Sequence, residues 1–181
     1  MTDLEDAVNL QLRNLQRWLV TNRLSLNIAK TEFMVIGSNQ PIHALSTKQM
    51  DIEIDRKSIK KVKEAKSLGP FIDGHLSWTK HIEEISKKIS SVIGALKRIR
   101  TLISESTALQ IYQALIFPHF DYRSPVWDER SVTLSDKLYK LQNRAARVIT
   151  RSNYDTTASI LLNRLNWDNL STRRKKSFRR C

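Results

Sequence analysis

Residues 79–103 read TKHIEEISKKISSVIGALKRIRTLI. Apolar side chains recur in this stretch at alternating intervals of three and four residues, at Ile82, Ile85, Ile89, Val92, Leu96, Ile99 and Ile103. Side chains with this spacing lie on one face of an α-helix, so the stretch predicts a long helix with one apolar face. Lysines and arginines between the apolar positions predict that the opposite face is basic.

Helical signals continue to the end of the chain. Ser104 is the predicted N-cap of the next helix, and Pro118 is expected to end that helix because proline has no backbone N–H. Apolar spacing predicts a further helix through Leu138 and Leu141, whose exposed positions include Lys137, Lys140, Arg144, Arg147 and Arg151. With short helices expected near 156–165 and 168–179, residues 77–181 are predicted to form an all-α bundle.

Residues 1–76 carry a different pattern. The first twenty residues predict an amphipathic helix, with the apolar stripe Leu4, Val8, Leu12, Leu15 and Leu19. Short apolar runs around Phe33, Ile52 and Leu68 follow, bounded by turn-forming residues, and they predict small antiparallel β hairpins. The predicted fold class is therefore α+β, with one region at 1–76 and an all-α region at 77–181.

Charge is distributed unevenly along the 181 residues. The chain has 31 Lys and Arg against 18 Asp and Glu, a formal net charge of +13. Residues 1–55 hold 5 basic and 7 acidic side chains, whereas residues 56–181 hold 26 basic and 11 acidic ones. This segregation indicates a polyanionic partner such as nucleic acid, although lysine-rich solvated helix faces would give the same count.

Composition excludes several classes of protein. No apolar run approaches the roughly 20 residues that a membrane span needs, and no secretory signal is recognisable, so an intracellular protein of the nucleus or cytoplasm is expected. The chain has one cysteine, Cys181, which excludes an internal disulfide. Four isolated glycines form no phosphate loop, and the four histidines have no metal-ligand spacing. No metal site and no complete active site are predicted.

Several motifs nevertheless resemble one family. Residues 18–34 have the pattern W-L-x-x-N-x-L-x-L-N-x-x-K-T-x-x-M, residues 76–82 read LSWTKHI, residues 111–116 read IYQALI, and residues 141–147 read LQNRAAR. In this order they resemble the C-terminal part of the reverse transcriptases of non-LTR retrotransposons, especially the jockey-like group. The resemblance covers the end of the palm, the thumb and the helices that follow.

The resemblance implies a function for the whole chain. It makes residues 1–76 the end of the palm with a primer-grip-like hairpin, and residues 77–181 a thumb-like region that binds the template–primer duplex. The catalytic aspartates of the family belong to a preceding N-terminal polymerase portion, so Mg²⁺ is expected only in the full-length parent enzyme. The chain alone is therefore expected to be inactive as a polymerase. The alternative is a stand-alone basic nucleic-acid-binding protein without polymerase activity.

Individual roles in the first region also come from the resemblance. Lys30 occupies the position of a general acid toward the pyrophosphate leaving group, whereas its spacing alone indicates only a solvated lysine. Asn27 and Thr31 are expected to shape the loop that presents it, because Asn and Thr side chains readily bond to nearby backbone. The primer grip is expected at Leu68, Gly69 and Phe71, and a plain strand turn at Gly69 stays open as the alternative.

The expected nucleic-acid contacts lie in the helical region. They are Lys80, Lys87, Lys88, Lys97, Arg98, Arg144, Arg147 and Arg151. The three arginines at 144, 147 and 151 are spaced to share one helical face that follows a phosphate backbone. The expected partner is an RNA–DNA hybrid or an RNA or DNA duplex. The tryptophans, which lie beside apolar residues, are expected in the core rather than at a base-stacking surface.

Overall fold

The fold was obtained as a computed structural model, which describes residues 2–38, 50–127 and 131–173. The chain divides into two compact units, Met1–Leu76 and Ser77–Cys181. The first unit combines one long helix with short paired strands, and the described part of the second is helical. The predicted α+β class is therefore confirmed. Among the described residues, no helix is both long and apolar enough to cross a membrane.

The first unit is organised around helix α1, Thr2–Thr21, and a small apolar cluster. Its buried members are Ile52, Ile54 and Ile59, against which Val8 and Leu12 of α1 pack. A side-chain amide reinforces this contact, because Asn9 Nδ2 donates to the carbonyl of Asp51 and Asn9 Oδ1 accepts from the backbone N–H of Glu53, each at 3.0 Å. One asparagine thus ties the helix to the strand beside it.

The strands of the first unit are short and form three pairs. They are β1 Glu32–Phe33, β2 Glu53–Ile54, β3 Lys57–Ser58, β4 Lys60–Lys61, β5 Glu64–Lys66 and β6 Phe71–Asp73. The pairs β2–β3 and β5–β6 are antiparallel, as expected for hairpins. The pair β1–β4 is parallel, which the sequence did not predict, because its strands are far apart in the chain and no turn joins them directly.

Helix α1 keeps part of its apolar surface exposed. Leu4 is 48% exposed and Leu15 44%, so the predicted stripe is only partly covered, and Trp18 of the same helix is 56% exposed. The expectation that Trp18 lies in the core is wrong, whereas Trp78 and Trp127 are buried. The apolar cluster is too small to cover the whole face of a helix of 20 residues.

The second unit consists of consecutive helices. They are α2 Thr79–Ile99, α3 Glu105–Ile111, α4 Phe117–Asp121, α5 Ser124–Trp127, α6 Val132–Thr150 and α7 Ala158–Arg164, and residues 170–173 are also helical. Helix α2 buries Ile82, Ile85, Ile89 and Leu96 as predicted. Ile93 replaces Val92 as the fully buried position between them, because a straight helix turns every 3.6 residues and drifts away from a strict heptad stripe.

The helix that begins after Ser104 does not end at Pro118 as predicted. Ser104 does act as N-cap, since its Oγ accepts from the backbone N–H of Thr107 at 3.0 Å. The helical path continues through a π-helical turn, Tyr112–Ile116, in which the N–H of Phe117 donates to the carbonyl of Tyr112, and then into α4. Proline is tolerated there because it lies in the first turn of α4, where its missing N–H breaks no regular helical bond.

Candidate nucleic-acid interface

Basic side chains line one face of α6. At about 100° per residue, five cations fall within an arc of roughly 80°. They are Lys137, Lys140, Arg144, Arg147 and Arg151, the last of which is the C-cap. Apolar and small residues such as Leu138, Ala145 and Ile149 are fully buried on the opposite face. The burial of that face therefore turns the cations outward along about 21 Å of helix.

An open groove of about 780 Å³ lies beside this face. We call it the basic groove, and its lining residues are Lys97, Arg100, Lys140, Asn143, Arg144, Arg147, Val148, Arg151, Ser152 and Tyr154. Six of these ten residues are cationic and none is acidic. A groove with one sign of charge concentrates counter-ions, so its physical character suits an anionic ligand.

Two arginines of the groove hold helix ends together. Arg100 is only 6% exposed. Its Nε and Nη2 donate to the carbonyl of Ile149, at 2.9 Å and 2.6 Å. Its Nη1 donates to the carbonyl of Ile103 at 2.8 Å. Arg151 donates back from Nη2 to the carbonyl of Arg100 at 2.8 Å. Each guanidinium thus satisfies carbonyls that a helix end leaves without an intrahelical partner. The sequence did not predict this structural role of Arg100. Arg151 has the same structural role, in addition to its predicted role as a phosphate contact.

Arg147 is also partly engaged within the unit. Its Nη2 donates to the carbonyl of Thr156 at 3.3 Å, and its guanidinium lies 5.3 Å from the centre of the Tyr154 ring. Arg144 is exposed, as is Lys140 four residues before it. The sequence predicts that Lys140 is exposed but does not place it among the expected contacts, although its i, i+4 spacing from Arg144 indicates that the two share one face.

The predicted contacts on α2 do not lie together. Lys97 lines the basic groove. Because an α-helix turns about 100° per residue, Lys80, Lys87 and Arg98 lie on a different face of α2 from Lys97. Lys87 pairs with Glu84 at 2.9 Å, and this hydrogen bond raises the pKa of Lys87 and lowers that of Glu84.

Lys88 lies on the other flank of α2, near two histidines. Burial, followed by the charge of Lys88, lowers the pKa of His81 and of His119. His81 is 5% exposed, and its ring meets that of Trp127 edge-on at 5.6 Å. The environment of Lys88 therefore differs from that of the groove cations.

Lys30 ends a short 3₁₀ helix, Ile28–Lys30, in the first unit and is exposed. Asn27 caps this helix, since its Oδ1 accepts from the backbone N–H of Lys30 at 3.2 Å. Thr31 Oγ1 donates to the carbonyl of Asn27 at 2.9 Å. Asn27 and Thr31 therefore fix the backbone on both sides of the lysine.

Leu68 and Gly69 form the tip of the β5–β6 hairpin. Both have positive φ, 48° and 114°, as a two-residue type I′ turn requires, and glycine adopts this conformation without strain. The N–H of Ser67 donates to the carbonyl of Pro70 at 3.0 Å, but proline cannot return the second bond of the turn. Leu68 is 76% exposed, and Phe71 lies under the ammonium of Lys66 at 5.8 Å.

The part of the chain that the structure describes contains no group of three or more His, Cys, Asp or Glu side chains able to hold a metal ion. Residues 2–38, 50–127 and 131–173 therefore offer no such group for the pair of Mg²⁺ ions that polymerase chemistry uses.

Comparison with known proteins gives one informative similarity. The chain is 28% identical over 89 residues to a protein of Drosophila melanogaster described as a probable RNA-directed DNA polymerase from transposon X-element. The matched segment is 48% of this chain and 10% of that protein, so the chain spans about a tenth of its relative. No protein-family model matches, and no solved structure matches. The similarity supports, in general terms, a fragment related to a transposon reverse transcriptase.

Proposed function

We propose that residues 77–181 bind the phosphate backbone of a nucleic-acid duplex as part of a non-LTR retrotransposon reverse transcriptase. The basic face of α6 and the basic groove are the binding surface. One observation carries the proposal: Lys97, Lys140 and Arg144 are exposed cations from two helices that line one groove without an acidic neighbour in its lining. The similarity to a transposon polymerase supports this choice of polyanion over others.

The chemistry of the surface favours backbone binding over base readout. Lysine and arginine on an outward helix face neutralise phosphates, and such contacts carry no sequence information. A polymerase needs this property because it must hold a duplex of any sequence. An RNA–DNA hybrid and an RNA duplex both approach A-form geometry, so we expect similar affinity for the two. A protein with this function acts inside the cell, in the nucleus or cytoplasm.

In the first unit the proposal is narrower. The exposed Lys30, held by Asn27 and Thr31, is proposed as the general acid toward pyrophosphate, and the hairpin of Leu68, Gly69 and Phe71 as the primer grip of the parent enzyme. Because the described residues have no metal-binding carboxylate cluster, we expect no polymerase activity from this chain alone. A stand-alone nucleic-acid-binding protein without polymerase activity is the second candidate, because residues 77–181 form a compact unit that contains the whole lining of the basic groove.

A salt titration tests the proposed function. The affinity of the full chain for a labelled RNA–DNA hybrid is measured by fluorescence anisotropy over a range of salt concentrations. If the groove and the α6 face contact three to five phosphates, log K falls against log salt with a slope of roughly −2.7 to −4.5, from about 0.9 released counter-ions per phosphate. A scrambled-sequence hybrid is expected to give the same values. Absence of binding at low salt would overturn the proposal.

A further inference from the structure

An exposed tyrosine stands at the edge of the basic groove. Tyr154 lines the groove and is 86% exposed, more than any other large hydrophobic side chain among the described residues. An exposed aromatic residue needs no explanation by itself. Its position next to a row of cations is informative, because proteins that bind single-stranded nucleic acid combine a cationic groove with aromatic rings on which bases stack.

The tyrosine is held in place from one side. The Arg147 guanidinium lies 5.3 Å from the ring centre, and the same group donates to the carbonyl of Thr156 at 3.3 Å. The loop between them is further closed by the bond from the N–H of Thr156 to the carbonyl of Asn153 at 3.2 Å. The ring therefore lies on a fixed turn, and ordering it for a ligand costs little conformational entropy.

Two polar atoms of the groove lining lack partners. Asn143 Oδ1 and Arg147 Nε are buried and make no hydrogen bond to any residue that the structure describes. These two atoms have almost no accessible surface, so a ligand in the groove does not contact them. The lining residues that a ligand can reach include Lys97, Lys140, Arg144 and Tyr154, which are exposed.

We propose that the part of the basic groove beside Tyr154 holds an unpaired nucleotide at the end of a bound duplex, with its base stacked on Tyr154. Lys140 and Arg144 bind the phosphates of the adjoining duplex. This inference rests on the proposed function, because the duplex occupies the rest of the groove and the basic face of α6. It adds a preference for a duplex with a single-stranded extension over a blunt one.

The test compares two hybrids of the same sequence, one blunt and one with a single-stranded extension at one end. Wild-type protein is expected to bind the extended hybrid about 5- to 150-fold more tightly, the range that one stacked base provides. Tyr154→Ala is expected to lose this gain, so that it binds the blunt and the extended hybrid with equal affinity. Tyr154→Phe is expected to retain the gain, because the ring and not the hydroxyl makes the stack.

Tyr122 provides the matched control. It is 53% exposed, lies 5.4 Å from the Arg123 guanidinium and does not line the groove, so Tyr122→Ala is expected to keep the full preference. A gain that persists in Tyr154→Ala, or equal wild-type affinity for both hybrids, overturns the stacking proposal while the proposed function stands. Failure to bind either hybrid overturns both.

Discussion

Replacing Arg100 with methionine is expected to lower the free energy of unfolding of the helical unit by about 2–4 kcal/mol. The guanidinium makes three hydrogen bonds, two to the carbonyl of Ile149 and one to that of Ile103. Methionine fills a similar volume but donates nothing. The carbonyl of Ile149, at the end of α6, then loses its guanidinium donor. The expected loss of unfolding free energy is that of hydrogen bonds between a charged donor and a carbonyl.

Urea denaturation measures this loss, and Arg98→Met is the matched control. Arg98 is exposed on the same helix, so its replacement is expected to change stability by less than about 0.5 kcal/mol. A loss for Arg100→Met as small as that of the control would show that the two helix ends are held by other contacts.

The second large effect concerns affinity. The triple variant of Lys97, Lys140 and Arg144 to glutamine is expected to bind an RNA–DNA hybrid roughly 100-fold more weakly at low salt, at about 1 kcal/mol per lost phosphate contact. Its salt slope is expected to fall by about 2.7, since three phosphates are no longer neutralised. These side chains are exposed and line the groove, so thermal unfolding is expected to stay near that of wild type.

A variant with the same charge change separates local contact from net charge. Arg13, Arg17 and Arg23 are exposed in the first unit, and their replacement by glutamine also removes three positive charges. This control is expected to keep most of its affinity for the hybrid. If both triple variants weaken binding equally, the net charge of the chain and not the groove determines affinity.

Substitution of Arg147 or Arg151 does not isolate the effect on hybrid affinity. Both make hydrogen bonds within the unit, Arg147 to Thr156 and Arg151 to the carbonyl of Arg100. Their loss would change stability and binding together. The sequence could not separate them from Arg144, because the distinction depends on which helix ends meet in the folded unit.

The predictable parts of the fold are those set by local periodicity. The spacing of Ile82, Ile85 and Ile89 predicts α2, and Ser104 predicts the start of α3, because both signals act within one or two turns. The helical path past Pro118 was not predictable, since the π-helical turn that precedes the proline leaves no mark in the residue pattern. The parallel pairing of β1 with β4 depends on a long-range contact that no local signal reports.

The candidate site was predictable in part for the same reason. The i, i+3 and i+4 spacing of Arg144, Arg147 and Arg151 identifies one face of one helix. The groove also needs Lys97 from α2 and Tyr154 from the loop after α6, and only tertiary packing brings these together. Sequence spacing likewise groups the basic residues of α2, although they lie on different sides of that helix.

Lysine acetylation footprinting with bound RNA–DNA hybrid tests the central claim most directly. Lys97 and Lys140 line the groove, whereas Lys57 and Lys60 are exposed in the first unit and serve as internal references. We expect hybrid binding to slow the acetylation of Lys97 and Lys140, relative to the free protein, at least tenfold more than it slows the acetylation of Lys57 and Lys60. A tenfold difference in rate corresponds to about 1.4 kcal/mol. Unchanged acetylation of Lys97 and Lys140 at saturating hybrid, with protection confined to other lysines, would contradict the claim that the basic groove binds the duplex.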